Sequence, residues 1–196
     1  FGTGDVFSLD LDGNLNWHRS LAGEYGEFEN RFGASSSPLL FDDMVILQCD
    51  HYGASYLVAI DTQTGANRWK ADRPECWLSW SSPQLVPIEE EHRFELVVSG
   101  SHKVDAFDPV RGEKLWTVAG MARECIPTPV YGNGLIYVVS GPNSPTLAIR
   151  PGGRGDVTQT RIAWKNLRGA PFVPSAILVG THYYLVDDQG NVLRLF

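Results

Sequence analysis

An all-β fold is predicted by three observations on this sequence. Aromatic residues make up 11% of it, and 20 Gly and 12 Pro are spread along it. That composition suits many short strands joined by turns, because strands favour aromatic and β-branched side chains while Gly and Pro interrupt them. Turn signals fall between apolar runs: Tyr131-Gly132-Asn133-Gly134 carries an Asn-Gly hairpin signal, and Asp187-Asp188-Gln189-Gly190-Asn191 separates two apolar stretches. The pattern also recurs every 46 residues or so, about the length of one propeller blade. The fold class is therefore all-β, a β-propeller of four-stranded antiparallel blades.

The repeat is plainest where Ala59-Ile60-Asp61-Thr62-Gln63-Thr64-Gly65-Ala66-Asn67-Arg68-Trp69 aligns with Ala106-Phe107-Asp108-Pro109-Val110-Arg111-Gly112-Glu113-Lys114-Leu115-Trp116. Ala, Asp, Gly and Trp coincide, with the tryptophans 47 residues apart. A shorter copy from Ser8 to Trp17 keeps the step from Gly13 to the tryptophan. A degenerate copy begins at Ala148-Ile149-Arg150, is interrupted by Gly152-Gly153-Arg154-Gly155-Asp156 and closes at Trp164. Upstream of these units stand Ser37-Pro38, Ser82-Pro83 and Thr128-Pro129, and an inverted Pro174-Ser175 carries the register to the last residues. One unit divides into strands Gln84–Val86, Phe94–Val98, Lys103–Phe107 and Lys114–Val118. The whole reads as a single domain, 1–196, with full blades at 36–74, 81–120 and 126–169 and partial ones at 1–21 and 173–196.

A formal charge of −7 and a pI near 5.1 speak against nucleic acid and anionic membrane surfaces as partners. Apolar runs such as Met44–Leu47 and Leu135–Val139 are far shorter than the roughly 20 residues that cross a bilayer as a helix, so no membrane span is expected in this segment. Cys49, Cys76 and Cys125 are odd in number and lack zinc-type pair spacing, so they predict no metal site and do not fix a redox compartment.

The Ala-x-Asp-x-x-Thr-Gly-x-x-x-Trp run at 59–69 resembles the tryptophan docking motif of the pyrroloquinoline-quinone-like (PQQ-like) repeat family, and 106–116 matches it except for Arg111 in place of Thr. The resemblance implies that Trp69 and Trp116, and with them Trp17 and Trp164, stack at junctions between blades and donate their indole N–H to a backbone carbonyl. Asp61 and Asp108 are then turn formers, and Gly65 and Gly112 close the turns. The resemblance also implies a ring of seven or eight blades, so that a fragment with three full blades and two partial ones is expected, and a periplasmic or secreted bacterial setting. An alternative within the resemblance is a PQQ-dependent dehydrogenase with calcium. Its enzymes carry two adjacent cysteines and a calcium set that do not map onto this chain, so no cofactor is expected and no catalytic residue is assigned.

Other motifs carry less. Cys49-Asp50-His51 combines a thiol and an imidazole, good ligands and catalytic partners, yet has no second ligand pair and reads as a buried Cys beside a loop His. Asp10-Leu11-Asp12-Gly13-Asn14 opens like a calcium loop, but Leu21 stands where the bidentate Glu would be, so it reads as a β-turn. Arg154-Gly155-Asp156 spells an adhesion tripeptide inside what reads as a flexible Gly-rich insertion, and so short a match arises by chance. The segments entering successive first strands supply Arg31, Trp77, Trp80, Arg123, Glu124 and Arg168, residue types enriched in binding hot spots and brought by a propeller to one rim. Against this, Trp77 and Trp80 could simply cover the core, and Arg123 could pair with Glu124. The functional expectation is a noncatalytic binding or assembly scaffold whose partner is a protein or a small anionic ligand. The alternatives are part of a quinoprotein dehydrogenase or a sugar- or peptide-binding receptor domain.

Overall fold

The computed structural model describes residues 2–30, 32–141, 144–167 and 170–195. Their strands form five sheets in chain order. The first holds β1 (Asp5–Leu9) and β2 (Leu15–Ser20), and the second β3 (Leu39–Phe41), β4 (Met44–Cys49), β5 (Tyr56–Asp61) and β6 (Asn67–Asp72). The third is built on β7 (Gln84–Ile88), β8 (Arg93–Gly100), β9 (Lys103–Phe107) and β10 (Lys114–Ala119). The fourth follows with β11 (Val130–Gly132), β12 (Leu135–Val138) and β13 (Thr146–Ile149), then, after β14 (Gly155–Asp156), β15 (Ile162–Asn166). The last comprises β16 (Ile177–Val179), β17 (His182–Val186) and β18 (Val192–Leu195). Within each sheet consecutive strands pair antiparallel, as up-and-down blades. Two short helices, α1 (Leu21–Tyr25) and α2 (Thr158–Arg161), lie between strands.

Both faces of a blade are apolar, and strand alternation explains how. In β4 and β5, Met44, Ile46, Leu57 and Ala59 pack against Leu96, Val98 and Phe107 of the next sheet. The intervening Leu47, Cys49, Tyr56, Val58 and Ile60 pack back on Leu21, Val6 and Trp17. The core is thus a series of interfaces between blades, and each blade depends on both neighbours.

Hydrogen bonds of two kinds also fasten the seams. Trp17 Nε1 donates to the Thr62 carbonyl (2.9 Å), and Trp69 Nε1 to that of Pro109 (3.0 Å). Each acceptor follows the motif aspartate of the next blade, and each indole lies on that blade's motif glycine. A Cβ added to Gly112 would lie 2.5 Å from the Trp69 ring, and one on Gly65 2.9 Å from Trp17. Both glycines also hold a left-handed backbone, φ +71° and +73°. Asp61 shapes its turn by accepting from the Gln63 and Thr64 N–H groups (3.0 and 2.7 Å), as Asp108 does from Val110 and Arg111 (2.8 and 3.1 Å). The small residue of the motif faces the tryptophan across the strand pair: Ser8 with Trp17, Ala59 with Trp69, Ala106 with Trp116 and Ala148 with Trp164. A register shift beside each pair leaves one residue before the tryptophan unpaired, a bulge that turns the outer strand.

The second fastening explains the Ser/Thr-Pro landmark. The Ser37 N–H donates to Ser82 Oγ (2.8 Å), that of Ser82 to Thr128 Oγ1 (3.4 Å) and that of Thr128 to Ser175 Oγ (3.1 Å). At the entries to the first strands, a hydroxyl of each blade therefore accepts from the backbone of the blade before it, in a series across four blades.

Trp116 departs from its counterparts. Its indole N–H donates to Glu95 Oε2 (2.8 Å), a fully buried carboxylate of its own blade that also accepts from Gly152 N–H (3.0 Å) and, through Oε1, from Arg93 (2.9 Å). The next blade lacks the motif aspartate, with Arg150 in its place, and Glu95 supplies the acceptor that this loop does not. The insertion read as a flexible loop is a strap instead: β14 pairs in parallel with β10, making the third blade five-stranded. Val157 N–H donates to the Thr117 carbonyl and Ala119 N–H to Thr158 Oγ1 (both 2.9 Å), with the Val157 side chain buried in the core. Two of the three residues of the tripeptide, Gly155 and Asp156, are thereby committed to a sheet edge. Trp164 is half-buried and tilted against Tyr137 at 5.9 Å.

The seam geometry makes two measurable claims. Trp69→Ala should lower the denaturant-measured stability by about 3–5 kcal/mol, and Gly112→Ala by about 1–3 kcal/mol through overlap with the indole and a disfavoured φ; losses under about 0.5 kcal/mol would deny the seam its role. The Thr64 backbone N–H, then its hydroxyl, hold the Asp61 carboxyl down at about pKa 2. A depressed carboxylate contributes stability above its unfolded pKa and loses it as pH falls through the folded one. The melting temperature should therefore drop between about pH 4 and pH 2, and Asp61→Asn should make that drop shallower.

Candidate functional site

The segment before β7 is held without regular strand pairing. Ser101 Oγ accepts from the N–H groups of Trp77 and Leu78 (both 3.1 Å), and the Trp80 N–H donates to the Cys125 carbonyl (2.8 Å) beside an isolated bridge from Ser79 to Cys125. Anchored in this way, the Trp77 side chain stands 46% exposed. The guanidinium of Arg123, from the corresponding segment of the next blade, lies over its ring at 5.6 Å, a cation–π distance. Among the described residues no ion pair joins Arg123 to Glu124, so the internal pairing considered above is not formed. Arg123 and Glu124 border a shallow cavity of about 260 Å³ with Ala122, Ser140 and Phe172.

Trp80 is set differently. It is half-buried, its indole N–H donates to the Gly33 carbonyl (2.9 Å), and its ring tilts against Phe32 at 6.0 Å. Trp77, Arg123 and Glu124 thus come together, Trp80 seals the preceding entry segment, and Arg31 and Arg168 lie outside the described residues.

Beneath the rim runs a buried polar group that sequence reasoning passed over. Arg73, its side chain 2% exposed, donates through Nη1 to both oxygens of Asp50 (2.8 and 2.7 Å). Gln48 Nε2 adds a bond to Asp50 (2.8 Å) and another to the Ser99 carbonyl (2.7 Å). Burial works against the charge on Arg73, but Asp50, Cys76 and Asp105 together outweigh it and raise its pKa; burial pushes the Asp50 carboxyl up against the pull of Arg73. Asp105, in the middle of β9 between Val104 and Ala106, accepts from Thr117 Oγ1. A charged residue inside an apolar strand is a signal that could have marked it.

The Cys49-Asp50-His51 run divides among three environments. The Cys49 thiol is buried and pushed up to about 12 by desolvation, Asp50 turns to Arg73, and His51 Nδ1 accepts from Gly53 N–H (3.2 Å). Burial lowers the His51 pKa. Cys125 is likewise pushed up to about 12 by burial, and burial also raises Cys76. The loop at Asp10 is a turn, its carboxylate accepting from the N–H groups of Asp12 (3.0 Å) and Asn14 (2.8 Å). Among the described residues no three His, Cys, Asp or Glu side chains group as a metal site, and no helix is long and apolar enough to cross a membrane.

A PQQ-type family model described as outer membrane protein assembly factor BamB matches residues 1–86. Over 97% of its length the chain superposes on a europium-containing methanol dehydrogenase, with a TM-score of 0.63 at 14% identity. The fold is that of a β-propeller, and its first 86 residues match the PQQ-type family model. Two further solved structures are similar: the quinohemoprotein alcohol dehydrogenase of Comamonas testosteroni (TM-score 0.50, 16% identity, 68% of this chain) and BamB of Moraxella catarrhalis (0.46, 17%, 98%). The propeller spans 45%, 21% and 66% of those three chains respectively, and at such identities the likeness is one of fold. No curated protein sequence matches it.

The thiols give a direct check on this interior. All three cysteines are free and buried, so Ellman's reagent at pH 8 should find almost none in the native protein and all of them once guanidinium has unfolded it. Rapid native reaction of even one would place that thiol at the surface.

Proposed function

We propose that this propeller is a noncatalytic binding or assembly scaffold, working in the bacterial periplasm or outside the cell, and that its rim at Trp77, Arg123 and Glu124 takes a protein partner. The observation that carries this is the exposed Trp77–Arg123 cation–π pair. The exposed Arg123 guanidinium, over the indole, has N–H donors of the kind that bind a carboxylate. The Phe172-lined cavity beside it offers an apolar contact, and Glu124 an acceptor for donor groups. Aromatic and arginine side chains on loops held by a rigid scaffold are the usual makings of a hot spot. The description of the matched family model, an assembly factor, agrees with this reading.

The likeness to a methanol dehydrogenase favours a second reading, a segment of a PQQ-dependent enzyme. The residues present do not fit that cofactor with calcium: the cysteines stand apart at 49, 76 and 125, and Asp50 turns inward to Arg73, as Asp105 does to Thr117. Two measurements separate the readings. Trp77→Ala and Arg123→Ala should each reduce capture of partner protein from an extract of the source cells at least tenfold, with stability changed by less than about 0.5 kcal/mol. Calorimetric titration with PQQ and calcium should give no saturable heat; stoichiometric micromolar binding would establish the enzyme reading in place of the scaffold.

A further inference from the structure

A strand that ends its sheet has one edge open, and such an edge is a template for pairing with another chain. β2, β6 and β15 are the last strands of their sheets, and each carries an exposed basic residue directly after its motif tryptophan: His18, Lys70 and Lys165. Basic side chains, lysine above all, blunt an open edge. β10 is the exception. Thr117 follows Trp116, and after Lys114 the strand runs Leu115-Trp116-Thr117-Val118-Ala119 without a charge. β10 is also the outer strand that does not end its sheet, because β14 lies along it.

The covering strand comes from the next blade by an extended connection. The last two strands of the second and third blades are joined by residues 62–66 and 108–113, whereas β13 and β15 are separated by residues 150–161. The added length reaches back to the third blade and meets the outward backbone groups of β10. The Thr117 carbonyl accepts from Val157 N–H, and Ala119 N–H donates to Thr158 Oγ1 (both 2.9 Å). Val157, 5% exposed, pegs the strap into the core. Arg154 and Asp156 are both exposed, so the strap returns charge to a blade edge that β10 itself leaves uncharged.

The pairing so prevented is with a second copy of the chain. Two β10 strands meeting antiparallel about a two-fold axis at Thr117 set threonine opposite threonine and Leu115 opposite Ala119, with no like charges facing. The same pairing of β6 about Lys70, or of β15 about Lys165, sets lysine opposite lysine, and like charges directly opposite are destabilising. We propose that residues 152–158 are an edge guard, which does for β10 what a basic residue does for the other outer strands and keeps the protein from associating with itself through this strand. The guard is independent of the rim at Trp77 and Arg123.

Sedimentation and light scattering over a concentration series measure self-association of the wild type and three variants, each first checked by a melt. Val157→Asp drives the peg out of the core, because a buried carboxylate without a partner is costly; it should strengthen self-association about tenfold or more. Val157→Asp with Thr117→Lys should return association to the wild-type level. Lys70→Thr with Asp72→Ala gives β6, which has no strap, the residue types found at 117 and 119, and should also associate about tenfold more tightly than the wild type. A folded Val157→Asp protein that associates no more than the wild type would overturn the proposal. So would association that Thr117→Lys fails to reverse, since it would come from uncovered core and not from the strand edge. Should Val157→Asp not fold, Lys70→Thr with Asp72→Ala, both at exposed residues, decides alone: tighter association sustains the proposal and wild-type behaviour overturns it.

Discussion

The hydrogen bond from an indole N–H to a carbonyl in the next blade is the constraint around which this structure is arranged. A blade with two apolar faces cannot hide either by itself, so it is stable only when packed between neighbours. A large flat side chain at the seam covers the most apolar area in one place but brings a polar N–H with it. The Trp17–Thr62 and Trp69–Pro109 bonds satisfy that group at the seam itself. Other sequence choices follow from it: a glycine where the indole lies flat, an aspartate to build the turn whose carbonyl accepts, a small residue opposite the tryptophan, and a bulge beside it. At the strand entries, backbone N–H to hydroxyl bonds from Ser37 to Ser82, Ser82 to Thr128 and Thr128 to Ser175 fasten the seam of Trp69 a second time and the two seams after it.

Because these requirements recur with each blade, they leave a period in the sequence, and the propeller class, the antiparallel strands of the third blade and the positions of Trp17, Trp69, Trp116 and Trp164 can be read from it. The period says nothing about places where a seam is solved another way. Trp116 sits in a motif nearly identical to that of Trp69, yet its acceptor is Glu95, because the acceptor belongs to the following blade and there the motif has decayed to Arg150. The loss of the aspartate is visible in the sequence; the buried carboxylate and the strap from Gly152 to Thr158 that compensate for it are long-range matters. A glycine-rich insertion looks flexible from composition alone, since nothing local shows that the β10 edge is waiting for it.

The rim was legible to a different degree. That Trp77 and Arg123 stand in corresponding segments of adjacent blades follows from the repeat, but their stacking depends on how Ser101 and the Cys125 carbonyl pin the backbone. Trp80, three residues further on, reaches back to the Gly33 carbonyl of the preceding entry segment. Two tryptophans of one short segment thus serve opposite ends, one open to solvent and one sealing a seam, and spacing alone does not separate them.

Arg73 shows why the buried charges belong with these surface features. Its Nη1 is committed to Asp50, and losing either member of such a pair would cost about 3–5 kcal/mol by stranding the other charge. Its other N–H groups lie toward Asp105 at a distance too long for a hydrogen bond. A side chain serving only to hold two blades together would be expected to use its donors, since the cost of burying them is met only when they are bonded. One half of this guanidinium is bonded into the scaffold, while the other half is buried near Asp105, with Nη2 3.8 Å from its carboxylate.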